Sequence, residues 1–345
     1  MAFDALVREN LTFSRLALDR DRPGASRGLQ TLRSLINVSE EEQARWDGGG
    51  HAHDMERAVT VAKEVKSDRV ALQNPAGLVK PSDWLPAGQR EEFEDVEGRR
   101  LVPSPDEVPR SCLLISPEEE GLLRHRMLAS DMAVLIEECD IAHLKDGRLL
   151  LAGLFCVPHN EASDRLIVDR RPANEGDARL GWSTLPLGPQ LCQAIIGPGE
   201  VLRGSGDDLR TYFYCLENAE DAVPYNAFGR RLTGSAEWKQ YGAAEGRFYR
   251  LALRVTAMGD RNAVDVANET HRGVLHAAGC LRPGEELAYG WVYPSGGVIE
   301  ACYIDDHIVV ACVSRAAADL AEGRDADIIR DSRAGYARAL MPLAE

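Results

Sequence analysis

Two apolar, β-branched runs, "VIEACY" at residues 298–303 and "HIVVACV" at 307–313, are separated only by Ile304, Asp305 and Asp306. Runs joined by so short a polar link pair as neighbouring antiparallel strands, so the chain has to build a sheet around this hairpin. The link itself is the difficulty. Adjacent carboxylates repel, and in a dry site one of them would take up a proton. A divalent cation removes the conflict, because carboxylate oxygens are the usual ligands of Mg²⁺. Successive strand residues point to opposite faces, but a tight turn can bring both side chains to one rim. A solvated Asp-Asp turn is the alternative reading of the same residues.

A metal site at the tip needs a further carboxylate from a neighbouring strand. "GDDLRTYFY" at residues 206–214 offers one: Asp208 ends a strand-like run, and the bulky Phe213 and Tyr214 follow. Two cations held by such carboxylates can activate an attacking hydroxyl and stabilise a leaving pyrophosphate, which is the logic of nucleotidyl transfer. Asp208 could instead cap a helix, a role open to Asp207 as well.

The rest of the chain narrows the class. Its 345 residues are long for one compact domain and point to two or three lobes. No apolar run is long enough to span a bilayer, and the N-terminus "MAFDALVREN" lacks an apolar signal core. An intracellular protein is expected, nuclear or cytoplasmic alike, with no membrane partner. Eight cysteines without a CxxC pair read as reduced thiols. A net charge of −15 argues against simple coating of nucleic acid. The basic residues are mostly Arg, and Lys239 is the only Lys beyond residue 150. Arg grips phosphate through two parallel hydrogen bonds, so local phosphate sites remain compatible with the acidic total.

Along the chain, residues 1–110 form a region of unclear structure. It contains loop-like stretches at 47–54 and 81–88 and a His51/His53 pair that reads as a solvated loop sooner than a metal site. Ser116, Pro117 and Glu119 form a capping-box signature. Leu122, Leu123, Met127, Leu128, Leu135, Ile136 and Cys139 then predict one apolar helix face, in a connector over 111–147. From Arg148 the pattern turns to strands, with "RLLLAGLFCVPH" and "DRLIVDRR" forming a hairpin. A strand near 250–259, a helix over 262–279 and a final helix near 325–340 complete the reading. This irregular alternation is α+β, with helices behind a mostly antiparallel sheet.

At four places the sequence resembles the reverse transcriptases, the RNA-directed DNA polymerases of retroelements. Tyr303-Ile304-Asp305-Asp306 is similar to their Y-x-D-D palm motif, and residues 208–213 to their first aspartate motif. "RLIVDRRPAN" at 165–174 resembles the fingers motif, and "AMGDRNAVDVANETH" at 257–271 the glycine-then-helix motif between the two aspartate motifs. The four stand in the family's order, within residues 145–340.

The resemblance implies a right-hand polymerase with fingers at 148–205, palm at 206–218, a fingers insertion at 219–249 and palm again at 250–345, the thumb absent. It implies that Asp208 and Asp305 hold two Mg²⁺ ions, with Mn²⁺ as an alternative, and that Asp306 supports them. Arg165 would grip the triphosphate of a dNTP. Phe213 would lie beneath the incoming sugar and exclude a 2′-hydroxyl, and its alternative is an ordinary core aromatic. Gly259 would allow close approach to a base pair, and Tyr303 would pack near the primer end. Asp169, Arg171 and Asn174 read as structural residues of the fingers. The partners implied are an RNA or DNA template with its primer. Met258 departs from the family's Gln before the glycine, and the fingers hairpin lacks the family's Lys. No thumb or ribonuclease H sequence follows, which fits one part of a larger polyprotein. A catalytically inactive, truncated retroelement remnant with residual nucleic-acid binding is the alternative function.

Overall fold

The structure, a computed structural model, describes residues 62–344. The 47–54 loop and the His51/His53 pair lie outside them. Of two compact units, the larger, Ala62–Pro186 with Ile196–Glu345, carries everything below. In chain order its elements are α1 (Ala87–Glu94), α2 (Pro117–Ala129), β1 (Ala133–Glu137), β2 (Gly153–Pro158) and β3 (Asp164–Asp169). Next come α3 (Arg171–Asn174), β4 (Glu200–Asp208), α4 (Tyr212–Cys215), β5 (Ala227–Thr233) and β6 (Phe248–Leu253). The last are α5 (Ala263–Ala277), β7 (Val298–Tyr303), β8 (Asp306–Ser314) and α6 (Arg324–Ala339).

The strands form three small antiparallel sheets, ordered β1-β6-β5, β2-β3 and β4-β8-β7. Mixed α/β architecture with antiparallel sheets is therefore what the alternating patterns produce. The third sheet matters most here. Helices α5 and α6 pack on one of its faces, where Cys302, Val309, Val274, Ile328 and Tyr336 form a buried cluster. Val274, Val309 and Ile328 each contribute roughly 1.5–3 kcal/mol through burial. The two helices approach closely at Gly335, where an added Cβ would meet the Cβ of Ala278 at 2.9 Å. Arg203 of β4 donates to both carboxylate oxygens of Asp325 at 2.7 Å and ties the sheet to the start of α6.

The connector differs from the sequence expectation. Helix α2 stops at Ala129, because Asp131 adopts a left-handed conformation (φ 60°). Leu135 and Ile136 then belong to β1, where they pair with Leu251 and Arg250 of β6. The β-branched run after the break pairs with a strand more readily than it continues a helix. Leu122 is 59% exposed, so the helix buries only Leu123, Met127 and Leu128 of the expected apolar set. Its capping box is half formed. Ser116 Oγ accepts from Glu119 N at 3.2 Å, but the Glu119 carboxylate turns away to accept from Ser67 N at 2.7 Å.

Candidate functional site

Register brings the acidic residues together. In the antiparallel pair β4–β8, Asp208 stands directly opposite Asp306, and in β7–β8 Tyr303 stands opposite the same Asp306. Directly paired residues share a face, so Asp208, Asp306 and Tyr303 lie on the face away from α5 and α6. Asp305 is at the tip between the strands, and its carbonyl accepts from Leu209 N at 3.0 Å, which fastens the tip to the end of β4. The alternation of a strand sends Asp207 to the opposite face. There Arg333 of α6 donates to it at 2.8 and 3.0 Å. Of the two adjacent aspartates, Asp207 is thus committed to a helix and Asp208 is not.

The electrostatics follow from this crowding. Asp306 is pushed up to about 6, first by burial and then by the charges of Asp305 and Asp208. Burial also raises Asp305, and Asp208 adds to the shift while Arg165 opposes it. Asp208 stands at an open rim, yet its carboxyl is partly desolvated and raised, again with Arg165 opposing. None of the three carboxylates makes an ion pair with a described residue.

The turn is held from behind. Ile304 has φ 59°, a left-handed conformation that is a true outlier for a β-branched residue and persists only where its surroundings impose it. Asn268 of α5 accepts from Ile304 N at 3.0 Å, and His271 Nδ1 lies 2.8 Å from Ile304 O. His271 Nε2 lies 2.9 Å from the Tyr336 hydroxyl. Burial pushes the His271 pKa down to about 3, with Ile304 O opposing and His307 adding to the fall. The ring is therefore neutral near pH 7. A carbonyl can only accept, so Nδ1 carries the proton and Nε2 accepts from Tyr336. Beside this clamp, His307 and Glu300 are fully buried and 2.8 Å apart.

The remaining candidates fall into two groups. Arg165 is exposed on β3, paired in register with Val157. Its charge reaches Asp208 and Asp305 without forming an ion pair. Phe213 is half-buried against the cluster beneath the sheet, and Tyr303 is 38% exposed. Asn174 and Gly259 knit α3 to the segment before α5, while Asp169 and Arg171 tie the end of β3 to the start of α3 and to Cys112. Asp169 accepts from Cys112 N at 2.6 Å and from Arg171 Nε and Nη2 at 2.7 Å. Asn174 donates to Gly259 O at 2.8 Å and accepts from Arg261 N at 3.1 Å. Gly259 has φ 114°, and an added Cβ would sit 2.3 Å from Val168 O, so only glycine fits there.

Hard oxygen donors without cationic partners are the chemistry a divalent ion requires, and the three aspartates are donors of that kind. Among the described residues no group of three His, Cys, Asp or Glu side chains is arranged to hold a metal ion. Three side chains that sequence reasoning missed are Asn268, His271 and Tyr336. The available signal was a run of polar residues on the side of α5 that packs against the sheet.

No family model and no curated protein matches this chain. Among solved structures it is similar to a foamy viral protease-reverse transcriptase in complex with double-stranded DNA. The identity is 13% and the TM-score 0.43, and the match covers 92% of this chain and 42% of that one. This chain thus spans less than half the length of that structure. A likeness at this level concerns the fold alone and carries no argument about the site. No helix among the described residues is long and apolar enough to cross a membrane.

Proposed function

We propose that this chain is a nucleotidyltransferase module of the reverse-transcriptase type, which adds deoxynucleotides to a primer over an RNA or DNA template. The observation that carries the reading is the cross-strand pairing of Asp208 with Asp306, with Asp305 at the adjoining tip. Asp208 and Asp305 would hold two Mg²⁺ ions, or Mn²⁺ in their place, with Asp306 in support. Bound there, the ions supply activation of the primer hydroxyl and neutralisation of the leaving pyrophosphate. The chain's own residues do the positioning. Arg165 grips the triphosphate, and its reach to both Asp208 and Asp305 supports that role. Phe213 lies beneath the sugar and selects against a 2′-hydroxyl, Gly259 lets backbone approach the new base pair, and Tyr303 packs near the primer end.

The net charge of −15 favours one competing reading, a non-catalytic remnant that holds nucleic acid poorly. Primer extension decides between them. Under the proposal, the full chain with Mg²⁺, a primed template and dNTPs extends the primer, and EDTA stops it. No extension on either an RNA or a DNA template, from a folded chain, overturns the catalytic reading.

A further inference from the structure

Away from the acidic rim, a cavity of about 50 Å³ is lined by Arg99, Arg100, Arg170, Asp177 and Asp260 and closed on one side by the first turn of α5. Those five are its only charged lining residues, three guanidinium groups against two carboxylates. Their pairing leaves a cation over. Arg100 pairs with Asp177, and Arg170 pairs with Asp260 at 2.7 Å and Asp177 at 3.3 Å. Arg99 makes no ion pair with a described residue, and its one side-chain hydrogen bond runs to Phe93 O at 3.1 Å. Arg170 is only 5% exposed, yet its Nε has no partner, and neither does the buried Nε of Arg99.

An unpaired N–H of a buried guanidinium is costly unless something in the cavity accepts from it. The volume is several times the roughly 10–15 Å³ that one water needs. The N-terminal end of α5 adds roughly half a positive charge to the same space. Orphaned guanidinium donors and a helix N-terminus therefore converge on one partly open pocket. A further carboxylate whose charge reaches Arg99 is that of Glu92, which accepts from Trp182 Nε1 at 2.7 Å and makes no ion pair with Arg99.

We infer that this cavity is a binding site for a tetrahedral oxyanion the size of inorganic phosphate, held by Arg99 and Arg170. Planar guanidinium groups match phosphate oxygens through parallel, charge-assisted hydrogen bonds. The site is independent of the acidic rim, and its test uses neither metal, primer nor nucleotide. Because Arg99 lies outside the ion-pair network, Arg99→Met removes the spare cation and leaves the Arg170 pairs intact.

Inorganic phosphate is the probe. Thermal unfolding of the full chain is followed in EDTA while phosphate replaces chloride at constant ionic strength. Phosphate is expected to raise the melting temperature saturably, and Arg99→Met to weaken apparent affinity at least tenfold with its melting temperature in chloride unchanged. No rise above chloride, or an equal rise in the variant, overturns the site. dAMP that binds as well as phosphate, with the same dependence on Arg99, overturns the assignment to a free oxyanion. Should the variant fail to fold, crystals of the wild-type chain soaked in selenate decide. An anomalous peak between Arg99 and Arg170 supports the site, and water alone there refutes it.

Discussion

Asp305→Asn is expected to reduce primer extension by about a hundred- to a thousandfold, the scale lost when an electrostatic group is removed from a charge-stabilising site. The fold should survive, and near neutral pH it should gain stability. Asp305 and Asp306 both have pKa values raised by burial and by the neighbouring carboxylates. A carboxyl raised in the folded state holds its proton longer there than in the unfolded chain, so its contribution to stability falls as pH rises through the window between the two values. For Asp306 that window runs from the ordinary aspartate range up to about 6. Asparagine removes the like charge that drives this loss. Denaturant unfolding of the variant and the wild type from pH 4 to 8 reads the difference, which should widen as pH rises. Lost extension together with lost stability would mean that the aspartate is structural, and would contradict the account.

His271→Ala is expected to destabilise the chain by roughly 3–5 kcal/mol. It opens a cavity beneath the sheet and strips a partner from both Ile304 O and the Tyr336 hydroxyl. The effect carries a pH signature. The pKa of His271 in the fold is about 3, against an ordinary value near 6.5. The unfolded chain therefore takes up a proton that the fold refuses. Stability from this group is fully present above about 6.5 and is lost as pH falls toward 3, at up to about 1.4 kcal/mol per pH unit. Urea unfolding between pH 4 and 8 checks both points. A loss under about 1 kcal/mol, or an unchanged slope in the variant, would show that the clamp does not hold the turn.

What the sequence made legible was local and periodic. The hairpin of β7 and β8, the hairpin of β2 and β3, and helices α5 and α6 all form where their patterns put them, because a repeat of 2 or 3.6 residues buries one face. Asp208 is singled out in the sequence by its place before Phe213, and its pairing with Asp306 is a register that follows once both strand ends are known. The misreading at α2 came from an apolar period that continued past Asp131, where a single left-handed residue ends the helix. The clamp on Ile304 was hidden for a different reason. Asn268, His271 and Tyr336 lie up to 68 residues apart along the chain, and their shared purpose exists only after α5 and α6 have packed on the sheet. Buried polar residues on a helix face read as interruptions of an apolar stripe until their partners are seen.

The central claim is that Asp208 and Asp305 share a divalent ion. Titration of Mn²⁺ into the wild-type chain, with free ion counted by electron paramagnetic resonance, tests it most directly. The account predicts saturable binding that Mg²⁺ displaces and that either Asp208→Asn or Asp305→Asn weakens at least tenfold. Binding left unchanged by both substitutions, or no saturable binding in the wild type, would contradict it.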